Sequence, residues 1–254
     1  MKRYGGFGRA GVSSGPWAGA PIERRWDTLA AVKQLADGVW HLNTMPVPNT
    51  VNAYLLEDVL VDAGTRHSRK TILRQLRGHD VSTHALTHTH PDHQGASHRV
   101  CEELGIPFWV PERDADAAEN PDLIRQRQPD HPVARFYFRI FTGPGHPVDR
   151  RLQAGDEVGG FEVLETPGHS AGHVVFWRAS DRVLVLGDVL ANMDQLTLIP
   201  GLHEPKPYLT PDPDENRRSA KKLAALEPRL ILFGHGAPLR DTRKFVDFID
   251  GLPS

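Results

Sequence analysis

Short apolar stretches separated by turn residues dominate the chain from about residue 32 onward. The stretches "GVWHLNT" and "VNAYLLEDVLVDAGT" predict consecutive strands in hairpin order, with a turn at residues 57–58. Apolar residues at helical spacing in "SRKTILRQLRG" predict a helix that Gly78 ends. A buried strand "HALTHTH", a helix over about residues 92–104 and a strand "IPFWVP" follow. This βαβα order is typical of a layered fold.

Residues from about 112 to 150 interrupt this order with charged helical patterns, many prolines and a cluster of aromatic residues. We predict an inserted helical excursion there. Strands resume at "FEVLETPG", "HVVFWRAS" and "RVLVLGDVL", and a helix "DENRRSAKKLAAL", a strand "RLILFGHG" and a helix "TRKFVDFIDGL" follow. The pattern predicts a single domain over residues 28–254, preceded by a flexible, Gly-rich segment at residues 1–27.

The composition narrows the classes of partner. Thirty Lys and Arg residues against 32 Asp and Glu residues give a net charge of −2, so no basic face for nucleic acid is expected. No stretch has the roughly 18 consecutive apolar residues of a membrane span, and the N-terminus lacks the apolar core of an export signal. The single cysteine, Cys101, falls in a helical pattern and predicts a small buried side chain. We therefore expect a soluble cytoplasmic protein that binds neither nucleic acid nor membrane.

The stretch "ALTHTHPDHQG" places three histidines and one aspartate within six positions. Side chains two apart on a strand point the same way, so His88 and His90 can converge at the end of the predicted strand. Pro91 ends that strand, and Asp92 and His93 follow in the first turn of a helix. Two pairs of ligands at one strand-to-helix junction suit a site for two metal ions a few ångströms apart.

Four ligands do not fill two such ion positions, so partners are expected at other strand ends. Three polar residues meet this expectation: His169 after "LETPG", Asp188 after "VLVLG" and His235 after "LILFG". Each follows an apolar stretch that predicts a buried strand. Each also has glycine next to it, which allows close approach of the backbone.

This set of motifs resembles the metallo-β-lactamase superfamily over roughly residues 35–250, in "HTHPDH", "TPGH", "LGD", "FGHG" and "VDAG". The resemblance implies an α+β fold, the four-layer αββα sandwich. It implies that three histidines bind a first metal ion: His88, His90 and His169. It implies that three residues bind a second ion: Asp92, His93 and His235. Asp188 then bridges the two ions, and Asp62 of "VDAG" orients ligands.

The resemblance implies a hydrolase with two divalent metal ions. Zinc is expected, with manganese or iron as alternatives, because His and Asp ligands accept all three. The resemblance implies that a metal-bridging hydroxide would cleave an ester, lactone or thioester of a small molecule, and we expect no serine nucleophile. Asp92 and Asp188 are the predicted catalytic residues, and Asp92 orients the nucleophile and passes a proton to the leaving group.

Other activities of the same fold remain as alternatives. A persulfide dioxygenase binds a single iron through a similar ligand set. A β-lactamase is disfavoured by the acid at Asp188, and a nuclease by the lack of a basic surface. A glutathione thioesterase is disfavoured because only 19 residues follow His235. A metal-stabilised binding module is the non-enzymatic alternative, and a homodimer is left open.

Several residues have two interpretations. His173 either forms a hydrogen bond near the site or caps the next strand. The aromatic residues over 136–141 form either the core face of a helix or a wall of the substrate pocket, and Tyr208 is a weaker candidate for that wall. Five histidines lack motif support and are expected to be solvated or locally hydrogen-bonded: His84, His98, His131, His146 and His203.

Overall fold

A computed structural model describes residues 32–253, in which two sheets carry the fold. The first sheet has seven strands, which lie side by side in chain order: β1 (Lys33–Ala36), β2 (Val39–Asn43), β3 (Asn52–Leu56), β4 (Val59–Val61), β5 (Thr83–Ala85), β6 (Phe108–Pro111) and β7 (Arg150–Leu152). Pairing is antiparallel from β1 to β4 and parallel from β4 to β7. The carboxyl ends of β4 and β5 therefore lie at the same edge.

The second sheet contains five of the remaining seven strands: β8 (Glu157–Val158), β9 (Phe161–Glu165), β10 (Val174–Arg178), β11 (Val183–Gly187), β12 (Ala191–Met193), β13 (Pro200–His203) and β14 (Leu230–Phe233). Its spatial order is β14-β11-β10-β9-β8, and β12 and β13 form a separate hairpin. Strands β11 and β14 are parallel, while β10 is antiparallel to both β9 and β11. Thus β9, β11 and β14 also end at one edge.

Within residues 32–253, eight α-helices connect and cover the sheets: α1 (Arg69–Gln75), α2 (Pro91–Gln94), α3 (Ser97–Leu104), α4 (Ala115–Glu119), α5 (Asp122–Gln126), α6 (Pro132–Phe141), α7 (Pro213–Ala224) and α8 (Thr242–Asp250). The last two helices, α7 and α8, are capped by aspartates. Asp212 accepts a hydrogen bond from the Glu215 amide, and Asp241 accepts one from the Lys244 amide. These bonds satisfy amides that a helix start leaves unpaired.

Three buried clusters define four layers. Side chains of both sheets meet in a central core, as Leu56 does with Phe161 and Phe176. Helices α1 and α3 cover the outer face of the first sheet, and α7 and α8 cover that of the second. Each fully buried leucine or phenylalanine in these clusters contributes about 1.5–3 kcal/mol. The prediction of an α+β, four-layer αββα sandwich is confirmed.

The segment after β5 differs from its prediction. The strand ends at Ala85 instead of continuing to residue 90, because side chains replace the ladder: the Thr87 amide donates to Asp62 and the Thr89 amide donates to Asp114. His88 and His90 therefore follow the strand. The predicted helix over residues 92–104 is two helices, α2 and α3, separated at residues 95–96.

Helices α4, α5 and α6 lie between β6 and β7 and share a small core with Leu209. The segment 1–27 lies outside the described residues. Among residues 32–253, no helix combines the length and apolar character needed to cross a membrane.

Cys101 is buried beside Leu86 and Phe108, and burial raises the pKa of its thiol to about 12.

Candidate metal centre

The predicted ligands lie in the segments that follow β5, β9, β11 and β14, at the edges where these strands end, and Asp92 and His93 lie in α2. All seven are buried. Their candidate ligand atoms form three groups, each with separations of no more than 4.8 Å: His88, His90 and His169; His88, His93 and Asp188; Asp92, His93 and His235. We call the first group the first ligand set and the third group the second ligand set.

Asp188 lies between the two ligand sets. Its Oδ2 atom is 3.1 Å from His235 Nε2, 3.5 Å from His93 Nε2 and 3.5 Å from His169 Nε2. One carboxylate oxygen thus faces histidines of both sets. Gly234 makes this approach feasible, because a Cβ there would lie 2.0 Å from Asp188 Oδ1 and 2.7 Å from His93 Cε1.

Four of the candidate ligand histidines share one arrangement. In each, Nδ1 bonds a protein oxygen, while Nε2 is buried and makes no hydrogen bond of suitable geometry within residues 32–253: His88, His93, His169 and His235. The Asp188 oxygen that lies near three of these nitrogens belongs to another candidate ligand. A buried ring nitrogen without a partner is costly unless something binds it. Oδ1 atoms of Asp92 and Asp188 are similarly without partners in the described part of the chain. These nitrogen and oxygen donors fit divalent metal ions.

Asp62 orients histidines of both sets. Its Oδ2 accepts hydrogen bonds from His93 Nδ1 at 2.8 Å and from the Thr87 hydroxyl at 2.8 Å. The Thr87 hydroxyl oxygen in turn lies 3.0 Å from His88 Nδ1, from which it accepts. With their Nδ1 protons donated, both rings direct Nε2 toward the site.

His173 holds the backbone of Asp188. Its Nε2 accepts a hydrogen bond from the Asp188 amide at 3.1 Å, so its proton is on Nδ1, 2.8 Å from Thr166 Oγ1. Burial lowers the pKa of His173 to about 3, which keeps the ring neutral. His173 had two predicted roles, a hydrogen bond near the site or a cap of the next strand. The bond to the Asp188 amide corresponds to the first.

His90 is oriented differently from the other four. Its Nε2 lies 2.8 Å from the amide group of Gln128, which leaves Nδ1 as the ligand atom. The amide oxygen of Gln128 is buried without a partner among the described residues, and half a turn of the amide brings it to His90 Nε2 as an acceptor. Gln128 follows α5 in the inserted segment, and the sequence carries no signal for this role.

Asp114 is a second residue that the sequence does not reveal. Its carboxylate accepts hydrogen bonds from the Thr89 amide and hydroxyl at 3.2 Å each, and from the Ser170 hydroxyl and Gly172 amide at 2.8 Å each. Burial raises the pKa of Asp114, and these hydrogen bonds oppose the rise. Asp114 thus joins the loop of His90 to the loop of His169.

The pentapeptide "GHSAG" over residues 168–172 has the Gly-x-Ser-x-Gly spacing of a serine-hydrolase nucleophile. In the structure it connects two strands, and the Ser170 hydroxyl is committed to Asp114. His169 turns toward the ligand set instead of activating this serine. The Gly-x-Ser-x-Gly spacing is thus present in the sequence, and the structure places Ser170 in the support of the His169 loop.

Two side chains of β3 fix the end of β14 beside His235. The Asn52 amide donates to the carbonyl oxygens of Phe233 and Gly236 at 2.9 and 2.8 Å. The Tyr54 hydroxyl donates to the Phe233 carbonyl at 2.7 Å. These bonds tie the two sheets together where His235 leaves the strand, and the sequence pattern of β3 indicates only burial.

The charges of the site are strongly coupled. Burial opposes protonation of His235, but the carboxylates of Asp188 and Asp92 outweigh it and raise the pKa of His235 to about 10. Burial also favours neutral carboxyls, yet His93 and His235 hold the pKa values of Asp92 and Asp188 below the usual range. Both carboxylates are therefore ionised and suited to positively charged ligands.

Two cavities flank the ligand sets. A cavity of about 280 Å³ borders Asp92 and His235 and is lined by Phe136, Tyr137, Phe141 and Tyr208 among others. Of the aromatic residues over 136–141, Phe138 is instead buried in the core of the inserted helices. Burial and the neighbouring Asp92 carboxylate raise the pKa of Tyr137 well above its ordinary value. The structure thus places aromatic side chains in both predicted roles, core and cavity wall.

The second cavity, of about 740 Å³, borders His90 and has a polar wall that includes Arg113, Arg127 and Glu215.

Most of the histidines without motif support form local hydrogen bonds. His84 bonds the Leu60 carbonyl and Ser97, and His98 pairs with His146. His131 caps α6, whereas Nε2 of His203 is buried without a partner in the described region.

Residues 46–235 match the metallo-beta-lactamase superfamily. The chain belongs to this superfamily. YflN, a probable metallo-hydrolase of Bacillus subtilis, is 32% identical over 200 residues, which are 71% of this chain and 76% of YflN. A hydroxyacylglutathione hydrolase of Bdellovibrio bacteriovorus is 24% identical over 203 residues, 76% of this chain and 66% of that protein.

A solved structure shows the same fold. The crystal structure of TTHA1623 in a di-iron-bound form is 30% identical, with a TM-score of 0.61 over 82% of this chain and 96% of that one. The family assignment, the four-layer fold and the cluster of buried His and Asp ligands together support a metallo-hydrolase that binds divalent metal.

Proposed function

We propose that this protein is a dinuclear metallohydrolase that cleaves an ester, lactone or thioester of a small molecule. The observation that carries the proposal is the set of buried Nε2 and Oδ1 atoms without partners in the described chain, with Asp188 between two complete ligand sets. A pair of divalent ions supplies a water-derived nucleophile at neutral pH and polarises a carbonyl group. We expect zinc, with manganese or iron as alternatives.

The chain's own residues position the substrate and move the proton. Asp92 borders the smaller cavity, and its Oδ1 is without a partner in the described chain, so it can hold a proton between water and the leaving oxygen or sulfur. Tyr137, kept protonated by burial and by Asp92, lines the same cavity and can donate a hydrogen bond to a substrate oxygen. Hydrolysis adds the elements of water across the acyl bond, giving a carboxylic acid and an alcohol or thiol.

The relatives support a hydrolase over the dioxygenase alternative. YflN carries the name of a probable metallo-hydrolase, and a hydroxyacylglutathione hydrolase, whose name specifies a thioester substrate, is similar over most of this chain. The di-iron form of TTHA1623 is a structure with two metal ions on a related fold. In this chain, the second ligand set has all three donors, which one iron would leave unused.

Elemental analysis and a substrate panel test the proposal. The protein is purified without added metal, its metals are identified and counted, and lactones, thioesters, simple esters and persulfides are assayed. Two ions per chain with hydrolysis of one acyl class is the expected result. One iron per chain with oxygen uptake on persulfides would contradict it, as would full metal loading without any turnover.

A further inference from the structure

The cavity beside Asp92 and His235 has a largely apolar wall. Seven of its fourteen lining residues are hydrocarbon or thioether side chains, and two more are tyrosines. Three of them are Val133, Phe136 and Leu196. Because Asp92 and His235 border the same space, a group bound in this cavity lies next to the candidate metal ligands.

The same wall is poorly suited to a negatively charged group. Asp92 is the one carboxylate in it, and none of the described residues that line it is lysine or arginine. Away from the candidate metal ligands Asp92 and His235, a carboxylate or phosphate in this cavity would lose its hydration without gaining a cation. The cavity therefore favours an uncharged substrate group.

Exposed hydrophobic side chains concentrate around this cavity. Seven large hydrophobic residues are exposed in the described part of the chain. Val133, Phe136 and Leu196 line the cavity itself, and the last two are each 64% exposed. Three more lie within three positions of a lining residue: Val47, Leu198 and Ile199. Leu104, on α3, is the exception. A clustered apolar surface of this kind marks a binding site.

We infer that this cavity binds an uncharged acyl chain of medium length, so that the substrate is a fatty acyl ester or thioester. The inference rests on the proposed function and specifies its substrate class. With roughly 30 Å³ for each heavy atom and its hydrogens, as for liquid water, a cavity of about 280 Å³ holds about nine such groups. Chains of about six to ten carbons fill it.

A chain-length series tests the inference. kcat/KM is measured with the metal-loaded enzyme for p-nitrophenyl esters from acetyl to dodecanoyl. We expect an increase of about three- to fourfold per methylene up to roughly eight carbons, followed by a plateau or decline. A p-nitrophenyl ester whose eight-carbon acyl chain carries a free carboxylate at its far end is expected to react at least about tenfold more slowly than the octanoyl ester.

Three variants locate the effect in the cavity. Phe136→Ser and Leu196→Ser, both at strongly exposed positions, are expected to lower the ratio of octanoyl to acetyl kcat/KM by about tenfold. Val133→Trp adds bulk to the wall and is expected to move the optimum to shorter chains. Leu104→Ser changes an exposed hydrophobic residue that does not line the cavity, and it leaves both rates unchanged.

The outcomes separate the two proposals. Hydrolysis without dependence on chain length contradicts the acyl-chain inference and leaves the hydrolase assignment standing. No hydrolysis of any ester in the series contradicts the acyl-chain inference, while the panel of lactones, thioesters and simple esters decides the proposed function separately. If size-exclusion chromatography shows a dimer that Phe136→Ser dissociates while the length dependence persists unchanged, the apolar surface is a subunit interface and the inference is wrong.

Discussion

The two candidate ligand sets are held in place by different parts of the chain. In the second set, His93 is oriented by Asp62 at the end of β4, and His235 by the Thr50 carbonyl and the β3 side chains around it. In the first set, His90 is oriented by Gln128 and His169 by Thr210. Strand ends thus support one set, whereas the inserted segment and a long loop support much of the other.

Strand ends and loops differ in how precisely the fold determines them. A residue at the end of a buried strand is positioned by the hydrogen bonds of the sheet and by the core beneath it. A residue in a loop depends on a few specific contacts, such as the four hydrogen bonds accepted by Asp114. We therefore expect the first ligand set to be the easier of the two to weaken separately.

Replacing Asp188, which serves both sets, is expected to have the largest effect. Asp188→Ala removes the carboxylate oxygen that lies 3.1–3.5 Å from histidines of both sets. We expect less than one metal ion per chain and a loss of turnover greater than about a hundredfold, because even outer residues cost 10–100-fold. Elemental analysis and kcat/KM measure the effect, and circular dichroism checks the fold. Asp181→Ala, at an exposed turn, is the control. Unchanged activity would refute the bridging role.

Asp62→Asn is expected to weaken both sets without removing a ligand. In either orientation the amide NH2 group of Asn faces a hydrogen-bond donor: His93 Nδ1 and the Thr87 hydroxyl at the Oδ2 position, or the Thr87 backbone amide at the Oδ1 position. Metal affinity should fall by about 10–100-fold. A competitive chelator titration measures it, with exposed Asp58→Asn as the control. Equal affinities in the two variants would show that Asp62 does not orient the ligands.

The candidate ligands could be predicted from the sequence because each comes soon after an apolar strand pattern or belongs to the dense "HTHPDH" motif, and Asp62 because "VDAG" resembles a motif of the superfamily. The layered fold could be predicted for the same reason. Asp114 could not, since it is one of several carboxylates in "PERDADAAEN" and its partners are more than 20 residues away in sequence. Short strands such as β8 and β12 lack the alternating pattern that identifies a strand.

Asp114→Asn is expected to separate the two ligand sets. Its amide nitrogen faces hydrogen-bond donors in either orientation, so the junction between the loops of His90 and His169 loosens. We expect about a tenfold weaker affinity for one of the two ions, with the other unchanged. Metal titration followed by calorimetry resolves the two steps. The neighbouring exposed Asp116→Asn is the control. Equal weakening of both steps would contradict separate support of the two sets.

His84→Gln tests whether the buried histidine of β5, the strand that precedes His88, has a purely structural role. Of the variants considered, it is expected to change metal content and turnover at neutral pH the least. Both ring nitrogens of His84 are bonded, to Leu60 and Ser97, so metal content should not change. Burial lowers its pKa to about 4, against an ordinary value near 6.5. As pH falls, His84 therefore takes up a proton at a higher pH in the unfolded chain than in the folded chain. The stability linked to a neutral His84 is complete above about pH 6.5 and declines by about 3 kcal/mol toward pH 4.

In His84→Gln this part of the acid sensitivity is absent. Chemical unfolding of the metal-free protein between pH 7 and pH 4 should give a shallower loss of stability for the variant than for the wild type, whatever the stability of the variant at pH 7. His79→Gln, at a partly exposed position, should follow the wild-type slope. If His84→Gln lowers metal content while its acid sensitivity is unchanged, His84 belongs with the ligand histidines and the distinction between bonded and unpartnered ring nitrogens fails.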